Sequence, residues 1–182
     1  MHLDPTYVVT IRFGFALLFG SAALHKVTNW SAFKVTLGKY FMGSVSVSTS
    51  LVNMIAVVVI TAEAFIVGMC IWPLHGAMTA GIIIVLLLTY GSGMLINLVR
   101  GNILLDCGCT WGGARRPVSY ALVVRNIGLA LLAFPLALPV VSRELGAMDI
   151  LSICVTVLTA GFLYLTSDLL LTQVELTNHE VK

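Results

Sequence analysis

Five stretches of the chain are apolar almost without interruption, and short polar segments separate them. They cover approximately residues 6–25, 51–72, 77–99, 118–139 and 150–171. Each reaches the roughly 20 residues a helix needs to cross the hydrocarbon of a bilayer. The third is the plainest, with the run Gly81-Ile82-Ile83-Ile84-Val85-Leu86-Leu87-Leu88. The pattern predicts an all-α fold: one integral membrane domain over residues 1–182, a polytopic transmembrane bundle with a four-helix core and a fifth helix. Residues 26–50 form a polar connector, long enough for a short surface helix, with Trp30, Tyr40 and Phe41 placed for the interface. Its serine-rich end, 44–50, reads as loop, and a tight turn is expected at Pro73-Leu74-His75-Gly76. Gly14, Gly20, Ser21, Ala22 and Ala23 let a neighbour approach the first helix closely. Gly91-Ser92-Gly93 marks a helix contact or a soft point in the third.

Composition agrees with the pattern. Of 182 residues, 59% are hydrophobic and only 10% charged, where a soluble domain carries about 25% charged residues. The mean hydropathy of +1.02 leaves too little polar surface to cover a globule in water. A net charge of +2 gives no electrostatic footprint for nucleic acid. The first residues include Asp4 and Pro5 and lack a basic region, so the first span reads as a retained helix rather than a cleaved signal.

Five spans put the termini on opposite faces. One face, here the loop face, carries the first connector, the segment between spans three and four, and the C-terminal tail. Threading the helices brings His25, Lys26, Asn97 and Arg100 to that face, with Arg125 and Asn126 roughly 10 Å below it and Asp168 near it. Charges inside hydrocarbon need partners. Glu63 is placed about 14 Å and Arg12 about 9 Å from the far face, which predicts a buried Arg12–Glu63 ion pair, with a proton relay as the alternative. Arg125 is expected to pair with Asp168 or to hold a ligand, and His25 and Lys26 to snorkel to the interface. Cys70 and Cys154 read as core filler.

The chemistry concentrates in Asp106-Cys107-Gly108-Cys109, set in a polar, glycine-rich loop with Arg100, Arg115 and Arg116 nearby. Two thiols separated by one glycine close on each other only through a small strained ring, and strained, exposed disulfides are the oxidising and labile ones. That suits a disulfide passed to another protein; the alternative is a pair of small residues at a turn. Cys107 and Cys109 are the candidate redox pair and Asp106 the candidate base or orienter. Arg100, Arg115, Arg125, Asn126 and Lys26 are candidates to bias the thiolate or bind a partner, since cations lower a thiol's pKa. No metal is expected: one Cys-x-Cys supplies two ligands where a structural zinc site wants four. Neither a nucleotide loop nor a supported Ser/His/Asp constellation is present.

The segments Ile96-Asn97-Leu98-Val99-Arg100-Gly101, Asp106-Cys107-Gly108-Cys109 and Tyr120-Ala121-Leu122-Val123-Val124-Arg125-Asn126 together resemble the signature of the MauE family of methylamine utilisation proteins, within the wider DoxX-like group. Arg12, Lys26 and Glu63 also fit that family's pattern. Where the family usually continues Phe-Gly after the second cysteine, this chain has Thr110-Trp111-Gly112-Gly113. The resemblance implies a bacterial inner-membrane protein that helps mature methylamine dehydrogenase, acting on its disulfide-rich small subunit with a thioredoxin-like redox partner. It leaves two alternatives: a non-catalytic scaffold or chaperone for that subunit, and an oxidoreductase linked to quinone, the one candidate cofactor. Disulfide delivery to an exported enzyme requires the cysteine loop in the periplasm. The excess of Lys and Arg on the loop face points instead to the cytoplasm. The periplasmic side is the expectation, against the charge count.

Overall fold

The structure, a computed structural model, describes residues 3–41, 48–72, 75–101 and 119–180, without the side chains of 41, 168 and 171–180. Helix α1 (Pro5–Thr28) starts where Asp4 accepts a hydrogen bond from the Thr6 N–H at 2.9 Å, with Pro5 at the first helical position, where its missing N–H costs nothing. A single non-helical residue, Asn29, separates it from α2 (Trp30–Phe41). Ser48 caps α3 (Thr49–Ile71), and α4 (Gly76–Val99) returns to the loop face. Helix α5 (Tyr120–Ala133) tightens into a 3-10 turn, Phe134–Ala137, where Pro135 has no N–H to continue the α-helical ladder. Helix α6 runs from Ala147 to Glu180.

Five of these units are long and apolar enough to cross a bilayer, counting α5 with its 3-10 extension. The core lies among four of them. It joins Val8, Phe15 and Phe19 of α1, Ile66 and Cys70 of α3, Ala80, Ile83 and Leu87 of α4, and Ala130, Ala133 and Leu136 of the α5 unit. Helix α6 packs along α1 and buries only Ile153 among its described side chains, so the four-plus-one arrangement holds. Cys70 is core, as expected. Cys154 is exposed on α6, which corrects its reading as core filler: a helix held along one side has little interior to fill.

Two glycines lie where helices meet. Gly20 faces Val67, whose methyl would stand 3.7 Å from an added Cβ. At Gly76 an added Cβ would collide with the Leu136 backbone carbonyl, so the start of α4 lies directly on the 3-10 turn. On this far face the chain is also tied at its N-terminus. Leu3 bridges Val140, with Leu3 N–H donating to Pro139 O at 3.0 Å and Val141 N–H to Leu3 O at 2.9 Å. Arg143 then spans two carboxylates. Its Nε donates to Asp4 Oδ2 at 3.0 Å and its Nη1 to Asp149 Oδ2 at 2.7 Å, and its Nη2 reaches both carboxylates and Thr6 Oγ1. Those bonds hold the Asp4 carboxyl down at about 2, with Arg143 the largest cause, and raise the guanidinium's own value.

The helix boundaries extend the expectations in two places. Helix α1 continues to Thr28 and so carries Lys26 within its last turn. Helix α6 continues through the polar tail, because Gln173, Glu175 and Asn178 are compatible with a helix outside the hydrocarbon.

Candidate functional site

The buried polar centre of the bundle is built on Glu63. Its carboxylate sits midway along α3 and is fully buried, 0% exposed. Lys26, at 3% exposed, donates from Nζ to Oε1 at 2.6 Å, and the Tyr90 hydroxyl of α4 donates to the same oxygen at 2.8 Å. The ammonium also lies 5.7 Å from the ring centroids of Phe33 on α2 and Tyr90. Aromatic faces are attractive to a desolvated cation. Helix α2 therefore covers Lys26 from the loop face. The second carboxylate oxygen, Oε2, is buried and has no hydrogen-bond partner.

This geometry corrects the expected Arg12–Glu63 pair. Glu63 does meet a cation, but the cation is Lys26. Depth measured from span ends misplaced it because α1 and α3 are staggered. With Gly20 against Val67, antiparallel helices put Glu63 level with the last turn of α1. Arg12 is about twelve residues away, roughly 18 Å along the axis. It stands instead beside Gly76, with Nη2 3.9 Å from where a Cβ there would be, and its Nε is buried without a partner. Lys26, expected to snorkel outward, points inward for the same reason: its nearest anion is below it.

A second group lies at the loop-face ends of α4 and α5. Met94, Leu122 and Val123 form a small buried cluster against which Tyr40 of α2 and Leu98 pack. Asn126 is buried beside it and donates from Nδ2 to Leu122 O at 2.9 Å and to Met94 Sδ at 3.6 Å. Gly91 faces it, an added Cβ lying 3.7 Å from Asn126 Cβ, whereas one at Gly93 would meet nothing within 4 Å; Gly91 is thus the helix contact, in an unbroken α4. Asn97, also buried, donates to Gly93 O at 3.0 Å while its Oδ1 has no partner. Arg125 stacks on Tyr164 of α6, 5.4 Å to the ring centroid. Its expected partner Asp168 has no described side chain. Arg100 is exposed at the end of α4.

Asp106, Cys107, Cys109 and Arg115 lie outside the described residues, in the segment that joins α4 to α5. Among the described residues no group of three or more His, Cys, Asp or Glu could hold a metal ion. Sequence reading missed Tyr90 and Phe33. The available signal was a tyrosine in the middle of an aliphatic span, since a buried phenol needs a partner.

Comparison with known proteins addresses the family. The family model described as methylamine utilisation protein MauE matches residues 5–139, which takes in Lys26, Glu63, Tyr90, the cysteine segment and Asn126. The chain belongs to the MauE family. It is 33% identical to the methylamine utilization protein MauE of Paracoccus denitrificans over 92% of this chain and 89% of that one. It is 33% identical to the MauE of Methylorubrum extorquens over 74% of this chain and 70% of that one. The MauE of Paracoccus versutus is 27% identical over 81% and 77%. No solved structure matches the chain.

Proposed function

We propose that this MauE protein acts in methylamine utilisation as a membrane thiol–disulfide oxidoreductase, with Cys107 and Cys109 as its redox pair. It would supply disulfides to the small subunit of methylamine dehydrogenase during export, working with a thioredoxin-like partner. The observation that carries the reading is the Asp106-Cys107-Gly108-Cys109 sequence between α4 and α5 of a multi-pass membrane protein. Membership of the family supports the pathway. Arg100 at one end of the segment and Arg125 near the other would favour the thiolate, Asp106 would take or orient its proton, and Arg115 would support partner docking, a role that burial removes from Lys26 and Asn126.

Replacing both thiols, Cys107→Ser with Cys109→Ser, tests the reading against a scaffold. The redox reading expects the variant to reach the membrane in normal amount while the small subunit fails to form its disulfides. A scaffold would leave those disulfides intact. The reading also places the segment in the periplasm. In a background lacking the native cysteines, a membrane-impermeant maleimide should label Thr177→Cys in intact cells and spare Leu3→Cys. The opposite pattern would put the thiols in the cytoplasm and end the delivery mechanism. Purified protein carrying bound quinone would favour the quinone-linked alternative.

A further inference from the structure

The bundle leaves a pattern of unsatisfied polar atoms that the thiol chemistry does not use. Glu63 Oε2, Asn97 Oδ1, His25 Nδ1 and Asn53 Oδ1 are all buried without hydrogen-bond partners. They occupy the loop-facing half of the bundle, on α1, α3 and α4. Buried polar groups are otherwise paired almost without exception, and ordered water is the usual partner where the protein supplies none. Asn97 stands two turns above Tyr90 on the same face of α4, about 10 Å towards the loop face. Asn53 is about 15 Å above Glu63 along α3. These polar atoms step down from the loop face to Glu63. Between it and the next orphaned atom, Arg12 Nε about 18 Å below, the core is apolar: Phe15, Phe19, Ile66, Ile83 and Leu87.

An ion pair kept only for stability would not look like this. A buried pair is often no better than apolar residues of the same size, and it gains only when its remaining lone pairs are satisfied. Here Oε1 receives two donors, Lys26 and Tyr90, while Oε2 receives none. We propose that Glu63 is a proton-accepting site in the membrane interior, which exchanges protons with water on the loop face along a hydrated path past Asn97. Lys26 holds the carboxylate in place, and Tyr90 presents a hydroxyl that can pass a proton to it. Among the described residues the surrounding charges are few. Helix α1 contributes Lys26 and the neighbouring His25, and α4 contributes Tyr90. Helix α2 contributes the Phe33 ring, with Lys34 turned onto Trp30 at 5.3 Å. Arg12 is far below and Arg125 stacks on α6. The proposal stands independently of the cysteine reading.

Infrared difference spectroscopy of the full-length protein in lipid nanodiscs tests it. On acidification the wild type should gain the C=O stretch of a protonated carboxyl that is missing from Glu63→Gln. In D2O that band should shift, and Asn97→Leu should slow the shift severalfold while Thr89→Leu, on the exposed face of α4, leaves it unchanged. If Glu63→Gln fails to accumulate because it strands Lys26, the neutral pair Lys26→Gln with Glu63→Gln serves as the reference. The proposal is overturned if no Glu63-dependent band appears at any pH, or if Asn97→Leu exchanges as fast as wild type.

Discussion

Two charge clusters among the described residues tie helices together, and they are built in opposite ways. On the far face, Arg143 joins Asp4 and Asp149 in a cluster whose guanidinium spans both carboxylates, although Arg143 and Asp4 are 39% and 40% exposed. In the bundle interior, Lys26 and Glu63 are almost completely excluded from solvent, yet one carboxylate oxygen has no partner. Desolvation makes an unmet hydrogen bond most costly where the second cluster sits. A bundle selected only for stability would have the saturated cluster inside. The far-face cluster is therefore a fastening that closes the N-terminus onto α6, and the interior cluster leaves an acceptor open, as the proposed proton exchange at Glu63 requires.

The largest effect should follow removal of one interior charge. Lys26→Met should destabilise the protein by about 3–5 kcal/mol, because it leaves a buried carboxylate uncompensated. Lys26→Met with Glu63→Leu should recover most of that loss. Denaturation of the two variants in detergent checks both, and an additive loss in the double variant would contradict the pairing. Arg12→Met should be additive with Glu63→Leu, in contrast to Lys26, since the two residues are about 18 Å apart along the axis.

Next in size is Gly76→Ala. The added methyl meets the Leu136 carbonyl, a backbone atom that cannot swing aside, so folded yield and thermal stability should fall clearly below those of Gly14→Ala, where nothing lies within 4 Å. Arg143→Ala should have a smaller effect, weakened further by salt, because exposed ion pairs are screened. The pH dependence of this fastening has a definite sign. The Asp4 value is depressed in the folded state, so its contribution is complete above the ordinary carboxylate range and disappears as pH falls towards about 2. Limited proteolysis of the N-terminus should accelerate over that acid interval in wild type, and Arg143→Ala should remove most of the dependence. Unchanged proteolysis in the wild type would show that Asp4 does not fasten the N-terminus.

Much of the frame was legible in the sequence because apolar length is a direct consequence of bilayer thickness. All five spans could be read that way. Glu63 could be recognised as a residue needing a cation, but the cation could not be chosen correctly. Span ends do not reveal how far two helices slide past each other, and here Gly20 of α1 lies against Val67 of α3. Lys26 looked interfacial because the boundary of α1 was drawn a turn too early. The saturation of Arg143 was invisible for a different reason. It joins residues 139 positions apart in the chain, brought together by the Leu3–Val140 bridge.

The thiol pair provides the most direct measurement of the proposed chemistry. Thiols in native membranes are trapped with a mass-tagging maleimide before and after reduction, in a variant retaining only Cys107 and Cys109. The account predicts that part of the population labels only after reduction, and that this fraction changes when a thioredoxin-like partner of defined redox state is added. Two cysteines that label fully without reductant, and stay reduced in the presence of the oxidised partner, would contradict it.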